Sequence, residues 1–382
     1  MNFVICFRLS GGTKMNDICI LHLIGLIGIG LAGCQGGPTP SAATGWDEVK
    51  RTQIPVCALK SQYEAPTRQP MASLAWEDGV CVSRDGLSLY SDYFQCDLFS
   101  FVLSKPDMRE VWRYQRGPDI GQDFSNPLNT GHPWIHSDIV VSTRTGRDKP
   151  FGPWRLTKLK GKFGNFGGMA GFGKSGRSNS FDYAVYTGDL KSGVKIKMMR
   201  IVGQDLEGDE KGIMLPDNIN AKYHADNPHL ECPDPKHPKE LVLFWDSDER
   251  PGLGQHDIFY STSPDAGIAW ADPRPVSSIN SKADEQQPHL FREKGQWWLY
   301  LTASNPQDGK LGIFRYRQAH TGDWDSWVER ELVVGAGTSA AVGEPTLTKD
   351  GDLSFVVITV NHAHGTVTDR YDCDPWFLKR KR

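Results

Sequence analysis

Short apolar or alternating segments separated by turn-forming residues recur along most of the chain. This pattern is typical of β-strands, because it lacks the 3.6-residue period of an amphipathic helix. Glycine, proline, asparagine and aspartate stand between the segments, as expected for tight turns. The sequence therefore predicts an all-β body. The clearest predicted strands are 241–245, 257–262, 297–302, 312–316 and 353–360.

A four-residue phrase opens three of the predicted strand clusters. Its copies are Asn227-Pro228-His229-Leu230, Gln287-Pro288-His289-Leu290 and Glu344-Pro345-Thr346-Leu347, and their prolines are 60 and 57 residues apart. A unit of this length that holds four strands and closes on a tryptophan is expected of a β-propeller blade with long loops. The fold predicted for the chain is therefore a β-propeller.

Two weaker copies lie upstream. Gln69-Pro70 leads to Trp112 and Asn126-Pro127 leads to Trp154, while a further unit at 181–202 lacks the tryptophan. Together with the three clear copies, these units predict six blades, with five and seven left open.

The segment Ser263-Pro264-Asp265-Ala266-Gly267-Ile268-Ala269-Trp270 resembles the Asp-box of sialidase-like propellers, with Ala269 where that family usually has threonine. The resemblance implies a tight structural turn and no catalytic role. The stretch 226–276 also resembles the repeats of the Tol-Pal (TolB-like) periplasmic propellers, over about one blade well and its neighbour moderately. Both resemblances imply a propeller, and the second implies a location in the cell envelope.

The start of the chain reads as a secretory signal, with a weakly basic lead followed by the apolar segment 18–32. Leu31-Ala32-Gly33-Cys34 resembles the lipobox of bacterial lipoproteins, which implies lipidation of Cys34 and an anchored protein that is periplasmic or surface-facing. Gln35 after the cysteine favours the outer membrane. We expect a signal peptide at 1–33, a tether and N-terminal extension at 34–66, and the propeller at 67–382.

Composition removes some partners and leaves others open. The formal net charge of −3 and the pI of about 6.4 give no electrostatic reason to expect nucleic acid.

Five cysteines follow Cys34, and an odd number permits at most two internal bridges, for which we expect Cys81 with Cys96 and Cys57 with Cys373. No CxxC spacing indicates a metal site, and the sequence leaves cofactors unknown.

The first strand of each propeller blade lines the central channel, so the residue before each repeat-opening proline is expected near the channel mouth. These residues are Gln69, Asn126, Asn227, Gln287 and Glu344. His229 and His289 lie two positions further on, where strand alternation keeps them on the same side. Such a polar ring suits a hydroxyl-rich ligand. Glu344, Asp226, His229 and His289 are the predicted catalytic residues, and Asn126, Asn227 and Gln287 are predicted to bind polysaccharide.

Three function classes remain open at this point. A glycoside hydrolase needs two carboxylates roughly 5 to 10 Å apart, which Glu344 and Asp226 could supply from different blades. A polysaccharide lyase needs a His or Tyr base and a cation, for which the candidates are His132, His136, Tyr183, Tyr186 and Arg200. Of these, His132, His136, Tyr183 and Arg200 are also predicted to bind the substrate. The alternative is a non-enzymatic TolB-like scaffold that binds an envelope protein.

Overall fold

A computed structural model describes residues 45–94, 120, 137–158, 169–170, 183–188, 195–202, 207–208, 213–220, 224–248, 250, 252–362 and 370–382. The predicted signal segment lies outside these residues, as do Cys34, Cys96, Asn126, His132 and His136. Within the described ranges, no helix is long and apolar enough to cross a membrane.

The described part of the chain is built almost wholly of β-strands. It begins with helix α1 (Trp46–Thr52) and the short strands β1 (Val56–Cys57) and β2 (Thr67–Arg68). Sheet I then contains β3 (Trp76–Val82), β4 (Ser88–Phe94), β5 (Ser137–Thr143) and β6 (Arg155–Leu156). Sheet II contains β7 (Met169–Ala170), β8 (Tyr183–Gly188), β9 (Lys195–Val202), β10 (Glu207–Gly208) and β11 (Ile213–Met214). Helix α2 (Asp217–Asn220) follows sheet II.

The three C-terminal sheets coincide with the three clear copies of the repeat. Sheet III contains β12 (Asp226–Glu231), β13 (Leu241–Ser247), β14 (Asp257–Ser263) and β15 (Arg274–Pro275). Sheet IV contains β16 (Glu285–Glu293), β17 (Gln296–Ser304), β18 (Leu311–Gln318) and β19 (Trp327–Gly335), with β1 added at its outer edge. Sheet V contains β20 (Ala341–Leu347), β21 (Leu353–Asn361) and β22 (Arg370–Leu378), with β2 outermost.

The sheets are arranged as a β-propeller, which confirms the predicted all-β propeller fold. The first strand of one sheet packs against the first strand of the next, with β12 against β16, β16 against β20 and β20 against β3. The count of six blades is not confirmed. Strand β5, which the sequence assigned to a second unit opened by Asn126, is the third strand of sheet I.

The N-terminal segment is tied to the C-terminal sheet. Strand β2 pairs with β22, and helix α1 packs on β21. Gln69 follows β2 at this outer edge, where its backbone N–H donates to the Pro375 carbonyl at 3.0 Å. The prediction that Gln69 lies at the channel mouth was therefore wrong, because its segment completes the outside of sheet V.

Apolar side chains between the sheets form the core. Sheets III and IV enclose a cluster that includes Phe244, Trp297, Trp324 and Trp327, and Phe244 meets the edge of Trp324 at a centroid distance of 6.0 Å. Burial of aromatic side chains of this size dominates core energetics. These tryptophans hold neighbouring sheets together at a fixed angle.

The turn between β14 and β15 has the local geometry expected from its sequence. The Ser263 hydroxyl accepts the Gly267 N–H at 2.9 Å, and the Asp265 carboxylate accepts the Ala269 N–H at 2.8 Å. Gly267 has a φ of 85°, which glycine adopts without steric cost, and Trp270 is buried. The segment is a structural turn, and its Asp-box resemblance stays a prediction.

The predicted bridge between Cys57 and Cys373 is absent from the structure. Both are free, buried thiols, and they lie on different sheets, Cys57 on β1 in sheet IV and Cys373 on β22 in sheet V. Burial raises the pKa of the Cys373 thiol well above its usual range, and the nearby charge of Asp78 raises it further. This thiol is consequently unreactive.

Candidate active site

The innermost strands of four sheets share a β-bulge at the repeat phrase. The register shifts between Asp226 and His229 in β12, with the same shift at the equivalent positions of β3, β16 and β20. The residue within each bulge has a positive φ: Gly79 57°, Asn227 47°, Gln287 58° and Glu344 57°. A left-handed conformation costs a non-glycine residue about 1–3 kcal/mol, and such strain concentrates at functional sites.

The bulge residues connect sheets IV, V and I at one level of the innermost strands. The Gln287 side chain accepts the Glu344 backbone N–H at 2.9 Å and donates to Glu344 Oε1 at 3.2 Å. Glu344 Oε2 in turn accepts the backbone N–H of Val80 on β3 at 3.0 Å. Sheets IV, V and I are thus linked through side chains that the repeat places at one level.

Asp246 connects sheets III and IV in the same layer. Its Oδ2 atom accepts the side-chain amide of Asn227 at 2.9 Å and the backbone N–H of Gln287 at 2.7 Å. Asp246 is fully buried on β13, so its position is fixed by packing as well as by these bonds. It orients two bulge residues at once.

Two sheets place aspartates opposite each other just before the bulge. Asp78 pairs in register with Asp92 in sheet I, and Asp226 pairs with Asp246 in sheet III. All four side chains are buried. Like charges directly opposite in a sheet are destabilising. The corresponding pairs are Gln286 with Thr302 in sheet IV and Gly343 with Val356 in sheet V. Among these four sheets, the acidic pair thus occurs in sheets I and III and not in sheets IV and V.

Glu344 and Asp78 form a hydrogen-bonded carboxyl pair between sheets V and I. Burial raises the pKa of Glu344 well above its usual range, and Asp78 raises it further through its charge and this hydrogen bond. The pKa of Asp78 is also raised by burial, while the hydrogen bond from Glu344 and that from the Trp76 indole at 3.0 Å oppose the shift. Burial thus favours the protonated form of the carboxyl groups in this pair.

His229 and His289 lie further along the same strands, with ring centroids 4.2 Å apart. Burial lowers the pKa of His289 to about 3, helped by the charge of Arg84, and the backbone N–H of Leu347 donates to its Nε2 at 3.1 Å. Burial likewise lowers the pKa of His229 well below its ordinary value, with the charges of His289 and Arg84 adding to the effect. Both imidazoles are uncharged at neutral pH. Beyond them, Arg84 and Glu231 form an ion pair between sheets I and III.

The structure brings together most of the predicted mouth residues, and two others are placed elsewhere. Asp226, Asn227, Gln287 and Glu344 all belong to the bulge layer, with His229 and His289 next to it. Tyr183 and Arg200 are register partners on β8 and β9, the second and third strands of sheet II, so neither is on an innermost strand. Asn126, His132 and His136 lie outside the described residues, and their assignments stay predictions.

Sequence reasoning missed Asp78, Asp92 and Asp246. The phrase Glu77-Asp78-Gly79-Val80 is the sheet I copy of the repeat opening, but Val80 stands where the other copies have proline. An alignment that accepted Val80 in place of the proline would have matched Asp78 with Asp226. The acidic partners on the second strands become visible only from the pairing register.

Comparison with known proteins supports the fold. No known family model and no curated protein sequence matches the chain. The catalytic domain of the Coprinopsis cinerea GH62 α-L-arabinofuranosidase is similar in structure, with a TM-score of 0.51 and 9% identity, over 84% of this chain and 97% of that one. The BT0996 protein in its RGII complex gives a TM-score of 0.50 and 11% identity, over 87% of this protein and 94% of that one. At these identities the similarity shows the propeller fold alone.

Proposed function

We propose that this protein is a glycoside hydrolase that cleaves polysaccharide at the mouth of the propeller channel. The observation that carries the proposal is the buried carboxyl pair of Glu344 and Asp78, which lies close enough to Asp226 for that carboxylate to influence the pKa of Asp78. Paired carboxyl groups whose environments keep one of them protonated are what glycoside hydrolysis requires.

Glu344 is the proposed general acid. A glycosidic bond breaks when a carboxylic acid protonates the leaving oxygen while a second carboxylate assists from the opposite face of the sugar. Glu344 holds its proton at a pH where an ordinary glutamate has lost it, because burial and Asp78 both disfavour its ionisation. Asp226, on the innermost strand of sheet III, is the proposed second carboxylate. Asn227 and Gln287, which are partly exposed beside it, would donate to sugar hydroxyls.

The test is a substrate panel on the purified protein. The fold likeness to an arabinofuranosidase catalytic domain makes arabinose-bearing glycans the first substrates, followed by other neutral and uronate-containing polysaccharides. New reducing ends without an unsaturated product support the hydrolase. Absorbance near about 235 nm would indicate lyase chemistry instead. Glycan binding without product, or no binding at all, would overturn the proposal and favour a TolB-like envelope scaffold.

We also propose that the protein is anchored to the outer membrane through a lipid on Cys34. The support is the lipobox-like tetrapeptide at the end of the apolar segment 18–32 and the Gly-, Pro- and Ser-rich stretch that follows it. Expression of the wild-type chain and of Cys34→Ser in a bacterium that processes lipoproteins tests this. The wild type should sediment with outer membranes, whereas the variant should not, and equal fractionation of the two would contradict the anchor.

A further inference from the structure

His256 lies just outside the layer of bulge residues and is connected to it through a single carboxylate. It directly precedes β14 and is 3% exposed. Its Nδ1 atom is 3.6 Å from Asp246 Oδ1, on the side of that carboxylate away from Asn227 and Gln287. Its backbone carbonyl accepts the N–H of Glu285 at 3.1 Å, which fixes the residue between sheets III and IV.

Four aspartates lie near His256. Asp246 approaches from β13, Asp248 from the segment after β13, Asp284 from the segment before β16, and Asp257 is its neighbour in the chain. Burial alone would lower the pKa of His256, but nearby Asp246 and the charges of Asp248 and Asp284 raise it to about 9. The side chain is therefore an imidazolium at neutral pH, in contrast to the uncharged His229 and His289.

The charge on His256 lies where it can stabilise the acidic pair in sheet III. Asp226 and Asp246 are opposite each other in register and both buried, so their mutual repulsion disfavours the observed arrangement. A cation on the far side of Asp246 offsets that repulsion. It also holds Asp246 in the orientation in which Oδ2 accepts from both Asn227 and Gln287.

We infer that His256 is a positioning residue of the proposed hydrolase: its side chain lies against Asp246 and, through Asp246, fixes Asn227 and Gln287 at the channel mouth. This inference rests on the proposed function for its catalytic consequence, while its structural content is independent of the reaction. Removal of the cation should free Asp246 to turn away from Asp226, so that the Asn227 amide loses its acceptor.

The first experiment needs no substrate. In the full-length protein, the imidazole signals of His256 and the side-chain amide signals of Asn227 are followed by NMR between pH 5 and 10. We expect His256 to remain protonated until about pH 9 and the Asn227 amide to shift as it deprotonates. In His256→Gln the Asn227 amide should be shifted at all pH values. A matched control is His237→Gln, because exposed His237 also faces two carboxylates, Asp234 and Glu240, but lies in the loop between β12 and β13, at the end of these strands opposite Asp226 and Asp246.

Two outcomes of this experiment overturn the inference: titration of His256 near the ordinary histidine value, or an Asn227 amide indifferent to that titration. The wild-type titration decides the matter even if His256→Gln does not fold. Asp246→Asn removes the negative charge from the other partner of this contact. The substitution should therefore lower the pH at which His256 titrates.

The second experiment measures catalysis on whichever glycan the wild type cleaves. His256→Gln should lower kcat/KM by ~10- to 100-fold, as expected for a misplaced site, and should alter the alkaline limb of the pH profile, whereas His237→Gln should change neither. A loss of thermal stability with unchanged kinetics would reduce His256 to a structural residue and overturn the inference. If the wild type cleaves no glycan, the proposed function fails, and the NMR result still decides whether His256 positions the mouth residues.

Discussion

Glu344 and Asp78 share a hydrogen bond between their carboxyl groups although they lie on the innermost strands of different sheets. Glu344 is the bulge residue of sheet V, whereas Asp78 precedes the bulge residue of sheet I. The neighbouring sheets are thus offset by one residue at the channel mouth. This offset brings one carboxyl group from each of two sheets into a hydrogen-bonded pair, which neither sheet could form alone.

Replacement of Glu344 by glutamine is expected to abolish hydrolysis while the fold is retained. Glutamine can still accept the Val80 N–H and can donate its amide to Asp78, so the ties between sheets V and I survive. It cannot deliver a proton to a leaving oxygen. Loss of a general acid costs typically about 10²–10⁴-fold in rate, measured here as reducing ends released per unit time.

Glu329→Gln is the matched control for this substitution. Glu329 is an exposed glutamate whose partner is Arg317, so the same chemical change occurs at the surface. Activity and melting temperature of this variant should equal those of the wild type. Unchanged activity in Glu344→Gln would refute the role of Glu344, and loss of the folded circular dichroism spectrum would leave Glu344→Asp as the variant to measure.

The stability of the protein should depend on pH through the same carboxyl group. The pKa of Glu344 is raised well above 4.5 in the folded state, so between these values the folded protein binds a proton that the unfolded chain has released. Stability from this group is present at low pH and is lost as pH rises through the folded pKa. Glutamine is neutral in both states and carries no such dependence.

Melting curves of the wild type and Glu344→Gln from pH 4 to pH 8 test the sign. The difference in melting temperature, variant minus wild type, should become more positive as pH rises. Two other buried acids with raised pKa, Glu77 and Asp372, are expected to contribute equally to both proteins and to cancel in the difference. Asp78, whose pKa is also raised, keeps a hydrogen-bond donor when glutamine replaces Glu344. A difference that is flat, or that falls with pH, would show that Glu344 is ionised in the folded state.

The sequence predicted the propeller and its mouth residues because both follow from a local phrase. Proline cannot donate to a strand ladder and is therefore confined to positions such as bulges, so the phrase marks a structural position wherever it occurs. Asn227, Gln287 and Glu344 share that position, and all three have positive φ. Sheet I escaped detection because Val80 follows Gly79 where the other copies have proline, although Gly79 adopts the same conformation.

The number of blades could not be predicted for a different reason. Strands β4 and β5 are partners in sheet I, but one ends at Phe94 and the next begins at Ser137. An interruption of this length inside one sheet looks in the sequence like the start of another unit, the more so because it contains Asn126-Pro127. Pairing across long insertions depends on tertiary packing, which periodicity does not report. The same limit hid Asp92 and Asp246, whose partners are defined only by strand register.

Gln287→Ala should weaken the junction of sheets IV and V. The substitution removes the acceptor of the Glu344 N–H, which retains only the Thr302 hydroxyl at 3.1 Å among the bonds described, and the donor to Glu344 Oε1. Loss of partners for buried polar groups costs about 1–3 kcal/mol. Urea denaturation should show a decrease of this size in the free energy of unfolding.

Gln296→Ala separates this effect from the mere loss of two glutamine hydrogen bonds. Gln296 donates to the carbonyls of Trp297 and Gln318 within sheet IV and contributes nothing to the channel mouth. Its replacement should be less costly, because both of its bonds lie within sheet IV and no bond to another sheet is lost. Equal decreases in the free energy of unfolding of the two variants would mean that the bonds between sheets IV and V contribute no more to stability than bonds within sheet IV.

Lys50→Met should destabilise the whole fold although Lys50 belongs to the short helix α1. The ammonium donates to the Ser73 carbonyl at 2.7 Å and to Asp374 at 3.1 Å, and it also pairs with Asp372. All three charged side chains are buried, and methionine would leave Asp372 without its cation. Removal of one partner from a buried ion pair costs about 3–5 kcal/mol. Exposed Lys60, replaced in the same way, is the control and should leave the urea midpoint unchanged. A wild-type midpoint for Lys50→Met would show that helix α1 does not anchor sheet V.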